Sequence, residues 1–312
     1  MTIMGELATS EFSHEALLYR DEDAYLNVIT AFVAGGVENG EPVALALPTD
    51  RLVAVERVLG DIAAEVTLVD MTEAGRNPPA ILGGVLRSFA DSRAGRVRIV
   101  GEPIWPERSA AAYTAAVEHE ALINELFAGV PAMILCPYDA SRLDRSVIDD
   151  AAATHPDLID ETGRYHSEAY DPHAVIDGCN RPLPVPAGAP AFRFDLHTLA
   201  EARRFATAHA ECHGIARERL KDVASVAGEL TANSVQHGGG SGTLWVWHEP
   251  STGAVVCQVD DTGRHTDLFA GRVPVPPDQF GGRGLLLVNR IADLVRTYRG
   301  AAHTATRVWF AR

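Results

Sequence analysis

The chain has 312 residues, and 46% of them are hydrophobic, which is enough apolar material for two separate cores. The formal net charge of −15 argues against direct DNA binding, because a nucleic-acid surface needs clustered basic side chains. No apolar run approaches the roughly 18 residues of a membrane span, and residues 1–12 lack the basic start and apolar core of an export signal. Four cysteines without Cys-x-x-Cys spacing indicate neither a zinc knuckle nor a disulfide framework, so we expect a cytoplasmic protein.

Strand and helix patterns alternate through the first half of the chain. Apolar residues at helical spacing predict a helix over 21–36, and the continuous apolar run over 42–47 predicts a buried parallel strand. The further predicted elements are a helix over 51–59, a strand over 66–70, a helix over 79–92, a strand over 97–102, a helix over 110–127 and a strand over 132–136. This alternation predicts an α/β fold with a doubly wound parallel sheet. The loop Pro48-Thr49-Asp50-Arg51 has no glycine and no lysine, so a P-loop is not expected.

Four short motifs in this half carry a family resemblance. They are His14-Glu15-Ala16-Leu17-Leu18-Tyr19, Gly101-Glu102-Pro103-Ile104-Trp105-Pro106, His119-Glu120-Ala121-Leu122-Ile123-Asn124, and Cys136-Pro137-Tyr138-Asp139 with His155-Pro156 beyond. On these motifs, residues 12–158 resemble the MEDS sensory domain. The resemblance implies a RecA-like sheet that does not use ATP in the usual way, and a sensory role.

Two groups of residues are candidates for sensing. Glu102, Trp105 and Tyr138 follow predicted strands, and ligands of a doubly wound sheet bind beyond the carboxyl ends of its strands. A second group has donor atoms that suit zinc or iron: His14, His119, Glu120, Cys136 and His155. Their spacing does not require a metal, and local packing with hydrogen bonding is the more ordinary interpretation. The expected ligand of this half is therefore a small molecule or a metal ion.

Residues 159–190 are expected to link the two halves. Prolines concentrate over 171–190 and no apolar periodicity is visible there. The stretch Arg181–Pro186 should be extended and semi-rigid.

The second half is organised around one helix that ends at Gly238-Gly239-Gly240. Glu229, Asn233 and His237 recur at i, i+4 and i+8 on one face of it, and another face is apolar through Val223, Val226, Ala227 and Leu230. Before it we expect an edge strand over 192–196 and a helix over 199–213, and after it strands over 243–247 and 254–261. His237 is ambiguous, because a histidine at a helix end often serves as a cap or dipole partner.

The polar residues of this half suit a nucleotide site. The Asn233 carbonyl can ligate Mg²⁺, and the Glu229 carboxylate one turn earlier can act as a general base. Asp261, at the end of a strand, can accept from the exocyclic amine of adenine, and Gly263 lets the backbone approach the base. Gly282 and Gly284 leave N–H groups free for phosphate at a helix N-terminus.

The ordered set of a Glu-x-x-x-Asn helix, Asp-x-Gly, Gly-x-Gly-Leu and a closing strand with Thr304 and Thr306 resembles the Bergerat-type ATP-binding domain of the GHKL superfamily. The resemblance covers residues 191–312, is closest to the anti-sigma serine kinases, and implies an α/β sandwich that binds ATP with Mg²⁺, with Thr306 among the binding residues. Two departures are visible. His265 stands where the superfamily often has glycine, and the lid segment 264–280 is short and holds three prolines, Pro274, Pro276 and Pro277.

The order of the two domains resembles the anti-sigma regulators of the RsbA type found in actinobacteria. That resemblance implies a cytoplasmic transcription regulator that binds an alternative sigma factor and phosphorylates Ser or Thr of a STAS-type anti-anti-sigma protein. Two alternatives stay open: an ATP-binding adaptor without kinase activity, and a protein similar to sensor histidine kinases. A homodimer also stays open. The signal and the particular sigma factor are not defined by the sequence.

Overall fold

The computed structural model describes residues 12–275 and 282–312. The chain divides into two compact units, Met1–Cys179 (unit 1) and Asn180–Arg312 (unit 2). Over the described ranges, no helix combines the length and the apolar character that a membrane span needs.

Unit 1 is built on a sheet that has seven strands in its described part, in the order β3-β2-β4-β5-β1-β6-β7. The strands are β1 (Phe12–Tyr19), β2 (Val43–Leu47), β3 (Thr67–Asp70), β4 (Val97–Gly101), β5 (Ala132–Asp139), β6 (Asp157–Asp160) and β7 (Gly163–His166). All neighbours pair in parallel except β6 and β7, which form an antiparallel hairpin at the edge.

Helices cover both faces of this sheet. They are α1 (Glu22–Glu38), α2 (Thr49–Leu59), α3 (Met71–Ala74), α4 (Pro78–Ile81), α5 (Ser88–Asp91), α6 (Ala110–Leu126), α7 (Arg145–Thr154) and α8 (Pro172–Cys179), with a 3₁₀ turn over Gly60–Glu65. On one face, Leu17 and Tyr19 of β1 pack with Tyr25 and Ile29 of α1 in a buried apolar cluster. The alternate residues of β1 point to the other face, toward α6 and α7. The predicted doubly wound sheet is confirmed.

Two predicted elements differ from the structure. The helix expected over 79–92 is divided into α4, a π-helical turn over Leu82–Arg87 and α5, and the glycine pair Gly83-Gly84 lies in that turn. The strand expected over 132–136 runs on to Asp139 through Pro137. Beyond Leu135, β5 pairs with β1 but no longer with β4, and a residue without an N–H is tolerated where one side of a strand has no neighbour.

The segment expected to be a linker has structure of its own. Residues 159–179 contain the end of β6, all of β7 and α8, which pack within unit 1. The irregular proline-rich stretch is therefore shorter than 159–190 and begins after Cys179.

Unit 2 is an antiparallel sheet with helices on one face. Its elements are β8 (Ala191–Asp195), α9 (Leu199–Cys212), a 3₁₀ turn over Arg217–Arg219, α10 (Leu220–His237), β9 (Ser241–Glu249), β10 (Ala254–Asp261), α11 (Arg283–Ile291), β11 (Leu294–Arg299) and β12 (Thr304–Phe310). The strand order is β11-β12-β10-β9-β8, which places β8 at an edge as predicted. The predicted apolar face of α10, Val223, Val226, Ala227 and Leu230, is buried against this sheet. The α/β sandwich is confirmed.

The opposite face of this sheet is in contact with the proline-rich segment. The side-chain amide of Gln258 donates to the carbonyl of Leu183 over 3.0 Å, and the Arg307 guanidinium donates to the carbonyl of Pro184 over 2.7 Å. The Asn180 side chain exchanges two hydrogen bonds with the backbone of Arg299, at 2.8 and 3.0 Å. The second half of the expected linker is thus part of unit 2.

Candidate functional sites

The exposed face of α10 carries the acid and amide expected to handle a nucleotide. Glu229 and Asn233 are half-buried, whereas His237 at the helix end is exposed. The buried Thr231 hydroxyl donates back to the carbonyl one turn earlier over 2.7 Å, and the buried Ser234 hydroxyl has an acceptor in the Asp261 carboxylate at 2.5 Å, so both hydroxyls are satisfied under this face. The helix therefore presents Glu229 and Asn233 from a rigid, fully packed support.

The N-terminus of α11 lies directly against these two side chains. A Cβ built on Gly284 would overlap the Glu229 carboxylate at Oε2 and would lie 3.7 Å from Asn233 Nδ2. Gly282, the N-cap residue, has φ 78°, and no side chain caps the helix there. A helix N-terminus of this kind favours an anion. Gly281 lies outside the described residues.

Asp261 forms a second corner of the same region. Its carboxylate accepts from the Ser234 hydroxyl at 2.5 Å and from the Gly263 N–H at 2.8 Å, one donor on each oxygen. Each oxygen keeps a lone pair free of these donors, and the two hydrogen bonds fix the orientation of the carboxylate. A Cβ on Gly238 would collide with this carboxylate, so a glycine is needed where α10 ends. The structure therefore orients Asp261 as an acceptor, which is the role expected toward adenine.

Gly263 is required by packing as well as by any ligand. A Cβ at this position would lie 2.6 Å from the Cα of Gly238 and 2.8 Å from the carbonyl oxygen of His237. The Gly263 carbonyl accepts from the Thr304 hydroxyl at 2.9 Å. Thr306 pairs with Val259 two residues further along β12, on the same face of the sheet. The Asp-x-Gly turn is thereby clamped between the end of α10 and the start of β12.

The described part of the lid segment packs onto α11. The side-chain amide of Asn289 donates to the carbonyl of Gly271 over 2.8 Å, and Gly271 has φ 75°. His265 is half-buried, and burial together with the nearby Arg299 charge lowers its pKa. A neutral imidazole thus stands where the superfamily often has glycine. Pro276 and Pro277 of the predicted lid lie outside the described residues.

An adenine nucleotide with magnesium fits these residues. A Cβ on Gly284 would crowd the Glu229 carboxylate, the side-chain amide of Asn233, whose oxygen can ligate a metal, lies beside it, and Asp261 is an oriented acceptor at the far end of α10. Oxygen ligands are what Mg²⁺ prefers, and a helix N-terminus favours phosphate.

In unit 1, four of the metal-type candidates meet in one buried group, here called the acceptor cluster. Its members come from β1, α6, β5 and the residue after α7: His14, Glu120, Cys136 and His155. One donor atom from each lies within 4.8 Å of all the others, and none of the four is more than 1% exposed. Glu120 Oε2 lies 3.3 Å from His14 Nε2 and 3.1 Å from His155 Nε2. Sequence spacing alone could not show this convergence.

Two of the sensory candidates surround the cluster. His119 Nε2 lies 3.9 Å from the other oxygen of Glu120. Tyr138 meets the His155 ring edge-on with a centroid distance of 5.6 Å, and it is fully buried within β5. The expectation that Tyr138 follows a strand at the ligand-binding edge is therefore wrong, because β5 is longer than predicted.

The electrostatics of the cluster favour an ionised Glu120 carboxylate. Burial alone would raise the pKa of Glu120, but the imidazoles of His14 and His155 outweigh it and hold that pKa below its usual range. Burial and the neighbouring His155 charge lower the pKa of His14 to about 4. Burial raises the pKa of the Cys136 thiol.

Glu102 and Trp105 line a different site, a cleft of about 300 Å³ at the carboxyl ends of the strands. Glu102 accepts from the Tyr25 hydroxyl at 3.2 Å, and burial raises its pKa to about 8. Arg51 also lines this cleft, and it donates to the Tyr19 hydroxyl at 3.0 Å. Sequence reasoning missed Arg51, although its place just after β2 follows the same rule that selected Glu102. The sensory candidates thus lie in two separate places in unit 1.

The two units differ in class. Unit 1 is a doubly wound sheet without a P-loop, and unit 2 has the helix-on-sheet layout and the acid, amide and glycine set of a GHKL-type ATP-binding domain. Comparison with known families gives the same division. Residues 13–156 match the family model for MEDS, the MEthanogen/methylotroph, DcmR Sensory domain, and residues 192–310 match the Histidine kinase-like ATPase domain. The chain therefore carries a MEDS domain followed by a GHKL-type ATPase domain, which confirms both resemblances. No curated protein sequence matches the chain.

Proposed function

We propose that the chain is an ATP-dependent anti-sigma regulator. In this proposal unit 2 binds ATP with Mg²⁺, holds an alternative sigma factor and phosphorylates Ser or Thr of a STAS-type anti-anti-sigma protein. Unit 1 controls these activities in response to a ligand. The observation that carries the proposal is the contact between the glycine turn of α11 and the Glu229–Asn233 face of α10.

Each residue of unit 2 has one task in this scheme. Asn233 ligates Mg²⁺ through its carbonyl, and Asp261 accepts from the adenine amine. Bound ATP supplies the phosphoryl group that is transferred. Glu229 accepts the proton of the partner's hydroxyl, since its carboxylate lies beside the glycine turn that would hold the phosphates.

The position of His14 argues against it as the phosphoacceptor that a histidine kinase would need. His14 is 0% exposed and lies in the central strand β1, so a phosphate donor could not reach it without unfolding the sheet. The adaptor without kinase activity keeps the same nucleotide contacts, and it differs from the kinase only in the use of Glu229.

Nucleotide binding to the full chain is the first test. Calorimetry with ATP and Mg²⁺ should show one site. Asn233→Ala and Asp261→Asn should each weaken binding by about tenfold or more, because the first removes the Mg²⁺ ligand and the second removes the charged acceptor for the adenine amine. Glu218→Gln is a matched surface control, since Glu218 is exposed in the same unit and should bind as wild type does. Equal affinity in wild type and the Asn233→Ala/Asp261→Asn double variant would reject the site.

Phosphate transfer is the second test, and it separates kinase from adaptor. Glu229→Gln keeps the size of the side chain but removes its basic lone pair, so transfer to the STAS-type partner should fall by about 10²- to 10⁴-fold while ATP and sigma binding persist. Absence of transfer by wild type, with sigma binding intact, would leave the adaptor. Failure to bind the sigma factor would contradict the anti-sigma role itself.

A further inference from the structure

We propose that unit 1 is a metalloprotein domain in which the acceptor cluster binds one divalent transition-metal ion of the zinc class. The four ligand atoms are Nε2 of His14, one carboxylate oxygen of Glu120, Sγ of Cys136 and Nε2 of His155. The proposal concerns a site in unit 1 and does not depend on the function proposed for unit 2.

The neighbours of the two imidazoles place a hydrogen on each ring. The Asn124 amide donates to the carbonyl of Thr154 over 2.8 Å, so its oxygen is the atom that faces His14 Nδ1 at 3.1 Å. An amide oxygen only accepts, and Nδ1 of His14 must therefore carry the proton. His155 Nδ1 lies 2.9 Å from the carbonyl oxygen of Ala151 and must carry a proton for the same reason. With its Nδ1 protonated, each ring turns Nε2 to the other side, and in a neutral ring that atom is an acceptor with a bare lone pair.

Those lone pairs point at an acceptor. Both Nε2 atoms lie within 3.3 Å of the same Glu120 oxygen. Despite these short distances, neither carboxylate oxygen of Glu120 nor His155 Nε2 has a hydrogen-bond partner among the described residues. The Glu120 oxygen and the two Nε2 atoms are then three acceptors facing one another, and one added proton could satisfy only one of the two oxygen–nitrogen contacts. A divalent cation between them satisfies every lone pair at once.

The separations between the ligand atoms fit tetrahedral coordination. Zinc–nitrogen and zinc–oxygen bonds of about 2.0–2.2 Å and a zinc–sulfur bond of about 2.3 Å place tetrahedral ligand atoms about 3.3–3.6 Å apart. The two contacts of Glu120 Oε2 measure 3.1 and 3.3 Å, and Cys136 Sγ lies 3.5 Å from His14 Nε2. These three separations lie within about 0.2 Å of that range, and all the ligand atoms lie within 4.8 Å of one another.

The charges also balance. A thiolate and a carboxylate with two neutral imidazoles carry −2, so a divalent ion makes the buried group neutral and removes most of the cost of burying Glu120. Asn124 and the Ala151 carbonyl hold the outer nitrogens of the two rings, which is the usual second layer around metal-bound histidine.

Burial decides what kind of site this is. Four protein ligands and full enclosure leave no position for water or substrate, which is typical of structural zinc sites and not of catalytic ones. The ion would tie β1, α6, β5 and the end of α7 together, since each contributes one ligand. Its occupancy would therefore set the packing of one whole face of the sheet in unit 1.

The test uses the full chain and two metal probes, Zn²⁺ and Co²⁺. After treatment with a chelator, wild type should take up one ion per chain and show a higher melting temperature with Zn²⁺. Co²⁺ should give thiolate-to-metal charge-transfer absorption and four-coordinate ligand-field bands. Cys136→Ser should abolish the charge-transfer absorption. Cys257→Ser is the matched control, because Cys257 is equally buried in a strand of unit 2 and should leave the spectrum unchanged.

Glu120→Gln separates loss of metal binding from loss of folding. The amide of Gln can donate to the two bare Nε2 atoms, so this variant should fold without metal and lose at least about 100-fold in Zn²⁺ affinity, more than the 10–100-fold typical of an outer-layer change. If folded wild type took up neither ion, the proposal would be overturned, and the cluster would be one held together by hydrogen bonds. Charge-transfer absorption that survives in Cys136→Ser would overturn the assigned ligands.

Discussion

Substitution of Gly284 by alanine separates the geometry of the nucleotide site from the stability of the fold. A Cβ at this position would overlap Oε2 of Glu229 but would make only an ordinary 3.7 Å contact with Nδ2 of Asn233. Glu229 is half-buried at the end of a flexible side chain, so it can rotate away without moving the helix. The carboxylate must withdraw by about 1 Å, and a misplacement of that size costs about 10²-fold in rate.

The fold should tolerate this change. Alanine is a better helix former than glycine by up to about 1 kcal/mol, so Gly284→Ala should leave the free energy of unfolding equal or slightly higher. The assay is phosphate incorporation into the STAS-type partner, with ATP affinity and urea unfolding measured on the same samples. Gly178→Ala is the control, because Gly178 lies in α8 and a Cβ there meets nothing within 4 Å. Undiminished transfer by Gly284→Ala, or loss of stability without loss of transfer, would refute the assigned position of Glu229.

Three further outcomes can be measured. Burial raises the pKa of Glu102 to about 8, so the unfolded chain loses this proton first and stability should fall between about pH 4.5 and 8. In urea unfolding at several pH values, Glu102→Gln should remove that fall, which is on the order of a few kcal/mol. If the stabilities of wild type and Glu102→Gln changed in parallel with pH, the raised pKa would be excluded. Ser234→Ala removes the 2.5 Å hydrogen bond to Asp261 and should weaken ATP binding about tenfold by calorimetry, whereas unchanged affinity would mean that Asp261 needs no such support. Arg307→Met removes the bond to Pro184 and should speed proteolysis of residues 180–187; an unchanged cleavage pattern would contradict the docking of that segment.

The regular elements of both units were predictable because they depend on local patterns. The apolar stripe of α10 is a periodic signal and the largely apolar run that opens β10 is a continuous one, and both are buried. The glycines at 282 and 284 signalled a helix start, and α11 begins there. The contact between Gly284 and Glu229 depends on packing between helices that are distant in sequence, so no local pattern could give it.

The missed features share one physical cause. Strand β1 carries His14 and Glu15 in its buried middle, which reads as a polar motif and not as a central strand. Their partners lie far along the chain, since Glu15 accepts from Arg164 at 2.7 Å and His14 faces Glu120. The proline-rich segment was misread in the same way, because its hydrogen-bond donor Arg307 follows more than 100 residues later. Buried polar groups become predictable only when their partners are known.

The attachment of Asn180 to β11 links the start of unit 2 to the Asp-x-Gly turn of the candidate nucleotide site. Asn180 is held by two hydrogen bonds to Arg299, Arg299 is the strand partner of Thr304, and the Thr304 hydroxyl holds the carbonyl of Gly263. Tension applied to the backbone at residue 180 would pass along these hydrogen bonds to the turn that orients Asp261. The stretch of chain that follows the MEDS domain is thus anchored at an edge strand of the sheet, through bonds that lead to the carboxylate expected to accept from adenine.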